Sequence, residues 1–307
     1  MPENRKSLTR FAWLSIGAAV LTIGLKSAAY FITGSVGLLS DAVESLVNLI
    51  GGIMALAMLT IAARPADEDH AYGHGKAEYF SSGLEGGLIL VAALSIAVAA
   101  VNRLFHPLHL DNEKLGVGLT ISVAASVINL IVALLILRAG RKHNSITLEA
   151  NAHHLLTDVW TSVGVLAGLG LVVVTGWRWL DPVVALLVAA NIIWTGVGIV
   201  RRSVGGLMDM ALPEPDVAQV RKVLAHYVAG GVQFHALRTR QSGAQKFVSV
   251  HVLVPGDWTV QRGHELLEQI EADIRRAVPE TIAFTHLESL DDPASWEDEP
   301  LERAKKT

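Results

Sequence analysis

Six apolar stretches, each near the length a helix needs to cross a lipid bilayer, occupy most of the chain up to Met208. A hydrocarbon core about 30 Å thick is spanned by about 20 helical residues, and isolated polar residues are tolerated where they face a bundle interior. The stretches run from Phe11 to Thr33, Val36 to Ala62, Phe80 to Asn102, Leu115 to Arg138, Ser145 to Thr175 and Val183 to Val200. Composition agrees: of 307 residues, 51% are hydrophobic and 18% charged, a balance foreign to a purely soluble chain. The first stretch follows Arg5, Lys6 and Arg10 but is long for a signal peptide, and no convincing cleavage site precedes the second, so it is read as a helix.

Basic residues set the expected orientation, because cytoplasmic loops carry the Lys/Arg excess. With six alternating helices, Arg5, Lys6, Arg10, Arg64, Lys76, Arg138, Arg141, Lys142, Arg201 and Arg202 fall on one side, against Arg103, Lys114 and Arg178 on the other. Both termini are therefore expected in the cytoplasm. After Met208 the composition becomes that of a soluble domain. Pro213 and Pro215 open a helical pattern through Val217, Val220, Leu224 and Val228. Strand-like runs follow over Gln233 to Thr239 and Lys246 to Val254, separated by a turn around Gln241-Ser242-Gly243. A helix from Gln261 to Ala277 and a strand from Thr281 to Glu288 complete an α-β-β-α-β order, which suits a small sheet covered by helices. The expected fold class is thus an α-helical membrane protein with six transmembrane helices and a C-terminal cytoplasmic α+β domain. The boundaries are a transmembrane domain over residues 1–208, a cytoplasmic domain over 209–293 and a disordered tail over 294–307. No internal repeat is evident, and Gly51, Gly52, Gly86 and Gly87 suggest close helix packing.

The formal charge of −4 leaves no basic excess for nucleic-acid phosphates, so nucleic acid is not expected as a partner. The absence of cysteine excludes disulfides, thiolate zinc fingers, cysteine-ligated iron–sulfur clusters and a cysteine nucleophile. Twelve histidines remain to be explained. Charged groups at bilayer depth are costly and mark ion or proton paths. Glu44 with Asn48, and His154 with Asp158, are spaced i, i+4, which puts each pair on one helix face. Two such pairs facing each other would supply a tetrahedral oxygen and nitrogen site for a divalent first-row metal; the alternative is interhelical hydrogen bonding alone. Asp41 lies a turn before Glu44 and is read as a supporting or capping group. His153 points about 100° away from His154 on an ideal helix and is read as structural. Lys26 and Glu85, also near lipid depth, are read as an internal charge pair or, for the lysine, snorkelling. In the loop before Phe80, Asp67, His70 and His74 make a second candidate metal cluster, the alternative being a solvated turn; Gly73 and Gly75 argue against continuous helix there.

The segment Thr33-Gly34-Ser35-Val36 leading into Asp41-Ala42-Val43-Glu44-Ser45-Leu46-Val47-Asn48, the loop from Arg64 through His74-Gly75-Lys76-Ala77-Glu78, and His154-x-x-x-Asp158 together resemble the cation diffusion facilitator family. The bacterial zinc and ferrous-iron efflux members are most similar, and the resemblance runs from about Arg10 to Glu288. It implies a homodimer in the bacterial plasma (inner) membrane, each subunit with six transmembrane helices and a cytoplasmic ferredoxin-like domain. It further implies exchange of cytosolic Zn²⁺ or Fe²⁺ for protons, with Mn²⁺ or Co²⁺ as further candidates, and no prosthetic group. Glu44, Asn48, His154 and Asp158 match the family's intramembrane transport site. The pattern departs there, since relatives often carry Asp or His at the first position and Asp at the second. Asp67, His70 and His74 match a second family site. His235, His251, His264, His286 and Glu288 match a cytoplasmic binuclear one, where relatives often have Asp in place of Glu288. Strand parity agrees, since His251 lies opposite the valine face and His286 and Glu288 share a face. Lys76 and Asp209 match a charge pair between the loop and the cytoplasmic domain. His106, His109, His143 and His226 match no family site and are read as exposed.

An intramembrane metalloenzyme is disfavoured because no His-Glu-x-x-His motif and no evident nucleophile occur. A metal-sensing or assembly protein that transports little remains the alternative, kept open by the neutral Asn48.

Overall fold

The computed structural model describes residues 8–33, 36–105, 112–177 and 179–297. Within its helices, the side chains at 29–30, 32–33, 36–44, 47, 112–119, 122, 165–166, 169–170 and 172–173 fall outside that description. The chain divides into two compact units, Met1–Gly205 and Gly206–Thr307.

The first unit is a helical bundle of α1 (Thr9–Thr33), α2 (Val36–Ala62), α3 (Ala77–Phe105), α4 (Asn112–His143), α5 (Ile146–Thr175) and α6 (Leu180–Leu207). Each apolar stretch of the sequence lies within one of these helices or differs from it by a few residues at the ends. Long apolar segments have no alternative to satisfying their backbone internally in lipid. Within the described residues, Thr9–Ala28, Ala77–Phe105, Val123–His143 and Leu180–Leu207 are long and apolar enough to cross a membrane, and α2 adds the shorter apolar segment Asn48–Ala62. The outer surface of the bundle is apolar, with Phe31, Val91, Val174 and Trp194 all largely exposed, as suits a lipid solvent. Helix α2 ends ahead of Pro65, whose ring disfavours helical geometry in the residue before it. Helix α4 ends at His143, where Asn144 takes φ +49° in the left-handed region.

Small residues bring the helices together. Leu59 of α2, Ala133 and Ile136 of α4, and Leu148, Ala152 and Leu155 of α5 form one buried cluster with Ala12 of α1. Ile89 and Ala93 of α3, Ala150 of α5 and Ile192 and Ile199 of α6 form another. At Gly86 of α3 an added Cβ would lie 2.8 Å from Val200 Cγ2, so only glycine allows this approach of α3 to α6. The same two helices are tied near one end by Arg103 Nη1 and Asp181 Oδ2 at 3.3 Å, and α5 is tied to α6 by Glu149 Oε2 and Arg202 Nη1 at 2.7 Å.

The second unit contains α7 (Glu214–Val228), β1 (Gln233–Ser242), β2 (Gln245–Val254), α8 (Val260–Ala277) and β3 (Thr281–Ser289). The strands lie in the order β1-β2-β3, β1 antiparallel and β3 parallel to the central β2. Val248, Val250, Val252 and Val254 point into a core with Val220 and Leu224 of α7 and Ile270 and Ile274 of α8. Strand alternation therefore leaves His251 on the other face. The β1–β2 turn falls at Gly243, φ +62°, because β1 continues to Ser242. The expected disorder beyond residue 293 does not begin there: Pro293–Trp296 forms a 3₁₀ turn capped by Asp292, whose Oδ1 accepts from Ala294 N at 2.9 Å. Residues 298–307 lie outside the described part.

Candidate metal centres

Three groups of polar side chains hold the candidate ligands. The first lies inside the bundle. Asn48 is in the interior of α2, and its Nδ2 donates to Asp158 Oδ2 of α5 at 2.5 Å. Both residues are buried, as is His154 one turn earlier on α5. Asn129 of α4 donates to the same Asp158 oxygen at 3.1 Å. Sequence reading missed Asn129. Its signal was available: Ser126 and Asn129, at i, i+3, make a polar stripe, and Ser126 Oγ donates to Ser162 Oγ at 2.7 Å, one turn beyond Asp158. The carbonyl oxygens of Asn48 and Asn129, and Nδ1 of His154, are buried without hydrogen bonds. Buried polar atoms are rarely left so. An amide can turn its oxygen toward a cation, so three helices converge on a polar point with donors to spare. The side chains of Asp41 and Glu44 lie outside the described residues. His153 is half-buried beside Glu149 and Arg202 in a surface groove.

The second group is the loop between α2 and α3. Turns, not helix, fold it: Gly73 N donates to His70 O at 2.8 Å, with Gly73 at φ +79°. Asp67 Oδ1 accepts from His70 N at 2.7 Å and lies 3.1 Å from His70 Nδ1. Its Oδ2 lies 3.3 Å from His74 Nε2. His74 Nδ1 faces Pro65 O at 3.2 Å, which holds the ring and leaves Nε2 as the metal-ligating atom. All three residues can present ligand atoms within 4.8 Å of one another. Desolvation pushes the Asp67 carboxyl up, but the His70 N–H and ring and the charge of His74 outweigh it and hold the carboxyl below its ordinary value.

The third group crosses the sheet of the second unit. His235, His251 and His286 are register partners on β1, β2 and β3. Glu288, two residues on from His286 and on the same face, reaches all three: Oε2 lies 2.7 Å from His235 Nε2, and Oε1 lies 3.1 Å from His251 Nδ1 and 3.6 Å from His286 Nε2. His235, His251 and Glu288 bring ligand atoms within 4.8 Å of one another, while the His286 side chain is 67% exposed at the edge. A β-bulge between His235 and Arg238, with Ala236 at φ +50°, re-aims β1 next to the first ligand. Trp296, from the 3₁₀ turn, brings its ring to 5.9 Å from His235. His264 is exposed near the start of α8 and is not brought into this cluster. Its neighbour Gly263 packs directly on Leu287 of β3, which sets the start of α8 against the strand carrying His286 and Glu288. Imidazole and carboxylate in these sets suit zinc and other divalent first-row metals.

Lys76 sits in the turn before α3, and Asp209 belongs to the second unit, where its Oδ1 accepts from Arg240 Nη1 at 3.1 Å. His226 is exposed and His143 half-buried, while His106 and His109 lie outside the described residues.

A membrane helix bundle with a carboxylate-centred polar point in its interior, followed by a histidine-bearing α+β domain, defines a multi-pass membrane transporter of cations. Residues 12–208 match the cation efflux transmembrane domain and residues 212–290 match the cation efflux protein cytoplasmic domain. The chain is 53% identical over 287 residues to an uncharacterized transporter of Synechocystis, covering 94% of this chain and 92% of that one. It is 30% identical over 272 residues to the cation-efflux pump FieF of Shewanella oneidensis, covering 89% and 90%. To FieF of Salmonella arizonae it is 28% identical over 281 residues, covering 91% and 92%. The chain belongs to the cation diffusion facilitator family, and its function is efflux of divalent metal.

Proposed function

We propose that the cargo is Zn²⁺, with Fe²⁺ next and Mn²⁺ or Co²⁺ as further candidates, carried out of the cytoplasm in exchange for protons by alternating access. The reading takes a homodimer in a bacterial inner membrane with both termini in the cytoplasm. The observation that carries it is Asp158 held between amides from two other helices, because a carboxylate shared by α2, α4 and α5 changes its ligand set when those helices move. Glu44, Asn48, His154 and Asp158 are assigned the cargo, Glu44 on the strength of the sequence resemblance. Ligands must be deprotonated to hold a metal, so binding on one side releases protons and external protons displace the metal on the other. The loop and sheet clusters bind the same class of cation and bias conformation or stabilise the dimer instead of carrying flux.

The test is metal flux into proteoliposomes under an imposed pH gradient, compared across Zn²⁺, Fe²⁺, Mn²⁺ and Co²⁺. His154→Ala and Asp158→Ala abolish flux on this reading, while removal of His235 and His251 spares it. A flux indifferent to the pH gradient overturns proton exchange.

A further inference from the structure

Glu85 of α3 is fully buried at bilayer depth, and among the described residues no ion pair includes it, contrary to the internal charge pair expected from sequence. Neither of its carboxylate oxygens reaches full hydrogen-bond geometry, and its polar neighbour is the Asn151 side chain of α5. The Oδ1 atom of Asn151 and the Nδ1 atom of His154 are likewise buried without hydrogen bonds. These groups surround Gly51 of α2. A Cβ on Gly51 would lie 3.7 Å from His154 Nδ1, 3.8 Å from Asn151 Nδ2 and 3.8 Å from Glu85 Cδ. The side chains of a carboxylic acid, an amide and an imidazole thus stand around one point; the Glu85 oxygens, Asn151 Oδ1 and His154 Nδ1 lack full hydrogen-bond geometry, and all three residues are at least nine-tenths buried.

We propose that Glu85, Asn151 and the Nδ1 edge of His154 form a second intramembrane site for the divalent cation, occupied before it reaches Asp158. His154 precedes Asp158 by four residues, about 6 Å along the helix. The displacement runs toward the end of the bundle that carries Arg138, Arg141 and Arg202, the proposed cytoplasmic end. A lane of buried polar groups leads there from Glu85. Glu78, Ser82 and Glu85 follow one another at i, i+4 and i+7 on α3, and all are buried. Ser145 Oγ donates to Glu78 Oε2 at 2.5 Å, and Thr147 Oγ1 donates to Glu78 O at 3.1 Å. On binding a cation Glu85 loses its proton, as a ligand must, and supplies the negative charge that the neutral Asn48 and Asn129 do not. A neutral imidazole offers one lone pair at a time, so a cation at Nδ1 and one at the other ring nitrogen of His154 alternate. His154 is then the group over which the ion steps from one site to the next.

This inference rests on the proposed assignment of the cargo to Asp158, and its test separates the two. The full-length protein is prepared with the outer ligands removed (Asp67→Ala, His70→Ala, His235→Ala, Glu288→Gln), and Co²⁺ binding is followed by its visible absorption. With Asp158→Asn added, one Co²⁺ per protomer still binds, and further addition of Glu85→Gln weakens that binding at least about tenfold, as loss of a supporting or direct ligand does. Glu85→Gln alone retains the Asp158 site, which shows that the variant is folded. In proteoliposomes of the otherwise unaltered chain, Glu85→Gln and Gly51→Ala lower flux at subsaturating Zn²⁺ by a similar factor. Gly51→Ala adds a methyl at ordinary contact distance from all three side chains and so tests the same space without replacing a ligand. If Asp158→Asn abolishes flux while Glu85→Gln leaves both flux and binding unchanged, the second site is wrong and efflux stands. If Asp158→Asn also transports normally, the assignment of the cargo to Asp158 itself falls.

Discussion

Asn129 of α4 donates its side-chain amide to Asp158 of α5 at 3.1 Å, on the same oxygen that Asn48 of α2 reaches. One carboxylate oxygen thereby joins three helices. Two amides held by a single acceptor cannot both keep their bonds when a cation takes that oxygen, so at least one must turn. Metal binding and helix position are coupled through this contact.

The consequence for Asn129 is specific. Asn129→Leu removes a donor from a buried carboxylate, and leaving such a group short of partners costs about 1–3 kcal/mol. It is expected to lower the unfolding temperature in detergent and to reduce Zn²⁺ flux about 10–100-fold, the range seen when a group orienting a ligand is lost. Asn129→Asp keeps the shape but adds a carboxylate, and is expected to tighten metal binding while making flux more sensitive to pH. Paired flux and binding measurements on the two variants check the assignment.

Glu288 touches imidazoles from all three strands, so it governs metal binding in the sheet cluster. Zn²⁺ at a hundredfold excess over its dissociation constant stabilises the folded domain by about 2.7 kcal/mol. Glu288→Gln is expected to remove most of that stabilisation, and chelation is expected to remove it from the unaltered protein. Trp296, 5.9 Å from His235, provides a fluorescence reporter close to the site.

Ala236 holds φ +50° in the bulge beside His235. Left-handed geometry costs a residue with a Cβ roughly 1–2 kcal/mol, and part of that returns when glycine enters because the unfolded chain is freer. Ala236→Gly is expected to be neutral or stabilising by up to about 1 kcal/mol with metal binding kept. Ala236→Val is expected to destabilise and to weaken Zn²⁺ binding by moving His235. Urea unfolding with and without metal distinguishes the two.

The helices were readable because a bilayer admits few solutions for long apolar stretches, and their borders carry signals such as Pro65. The loop and sheet clusters were readable as residue types, since Asp67, His70 and His74 lie within one short turn and strand parity places His251 opposite the valines. Two things escaped. Asn129 has Ser126 as a polar neighbour at i−3 but no titratable partner at i, i+4, so its role becomes specific only when α4 is packed on α5. Glu85 read as half of a charge pair because sequence cannot show which helix faces it; packing sets it against Gly51, Asn151 and His154. His264 went the other way. It joined the ligands by resemblance, yet it stands exposed on α8 and outside the group formed by His235, His251 and Glu288.

The second unit also carries a pH-dependent tie between its helices. Tyr227 of α7 donates its hydroxyl to Asp273 Oδ2 of α8 at 2.7 Å. Desolvation and the neighbouring Asp273 carboxylate push the Tyr227 hydroxyl up to about 12. That same hydrogen bond, with Arg276 assisting, holds Asp273 below its ordinary value. The signs follow from linkage. Between the unfolded tyrosine value of about 10 and about 12, the folded state binds more protons, so stability falls as pH rises through that window. Asp273 contributes stability above its unfolded value near 4 and loses it as pH falls through its lower folded value. Tyr227→Phe deletes the bond and is expected to cost about 1 kcal/mol at neutral pH while flattening both limbs. Urea midpoints measured from pH 3 to pH 11 on Tyr227→Phe and the unaltered chain check this; equal alkaline slopes in the two would remove Tyr227 as the cause.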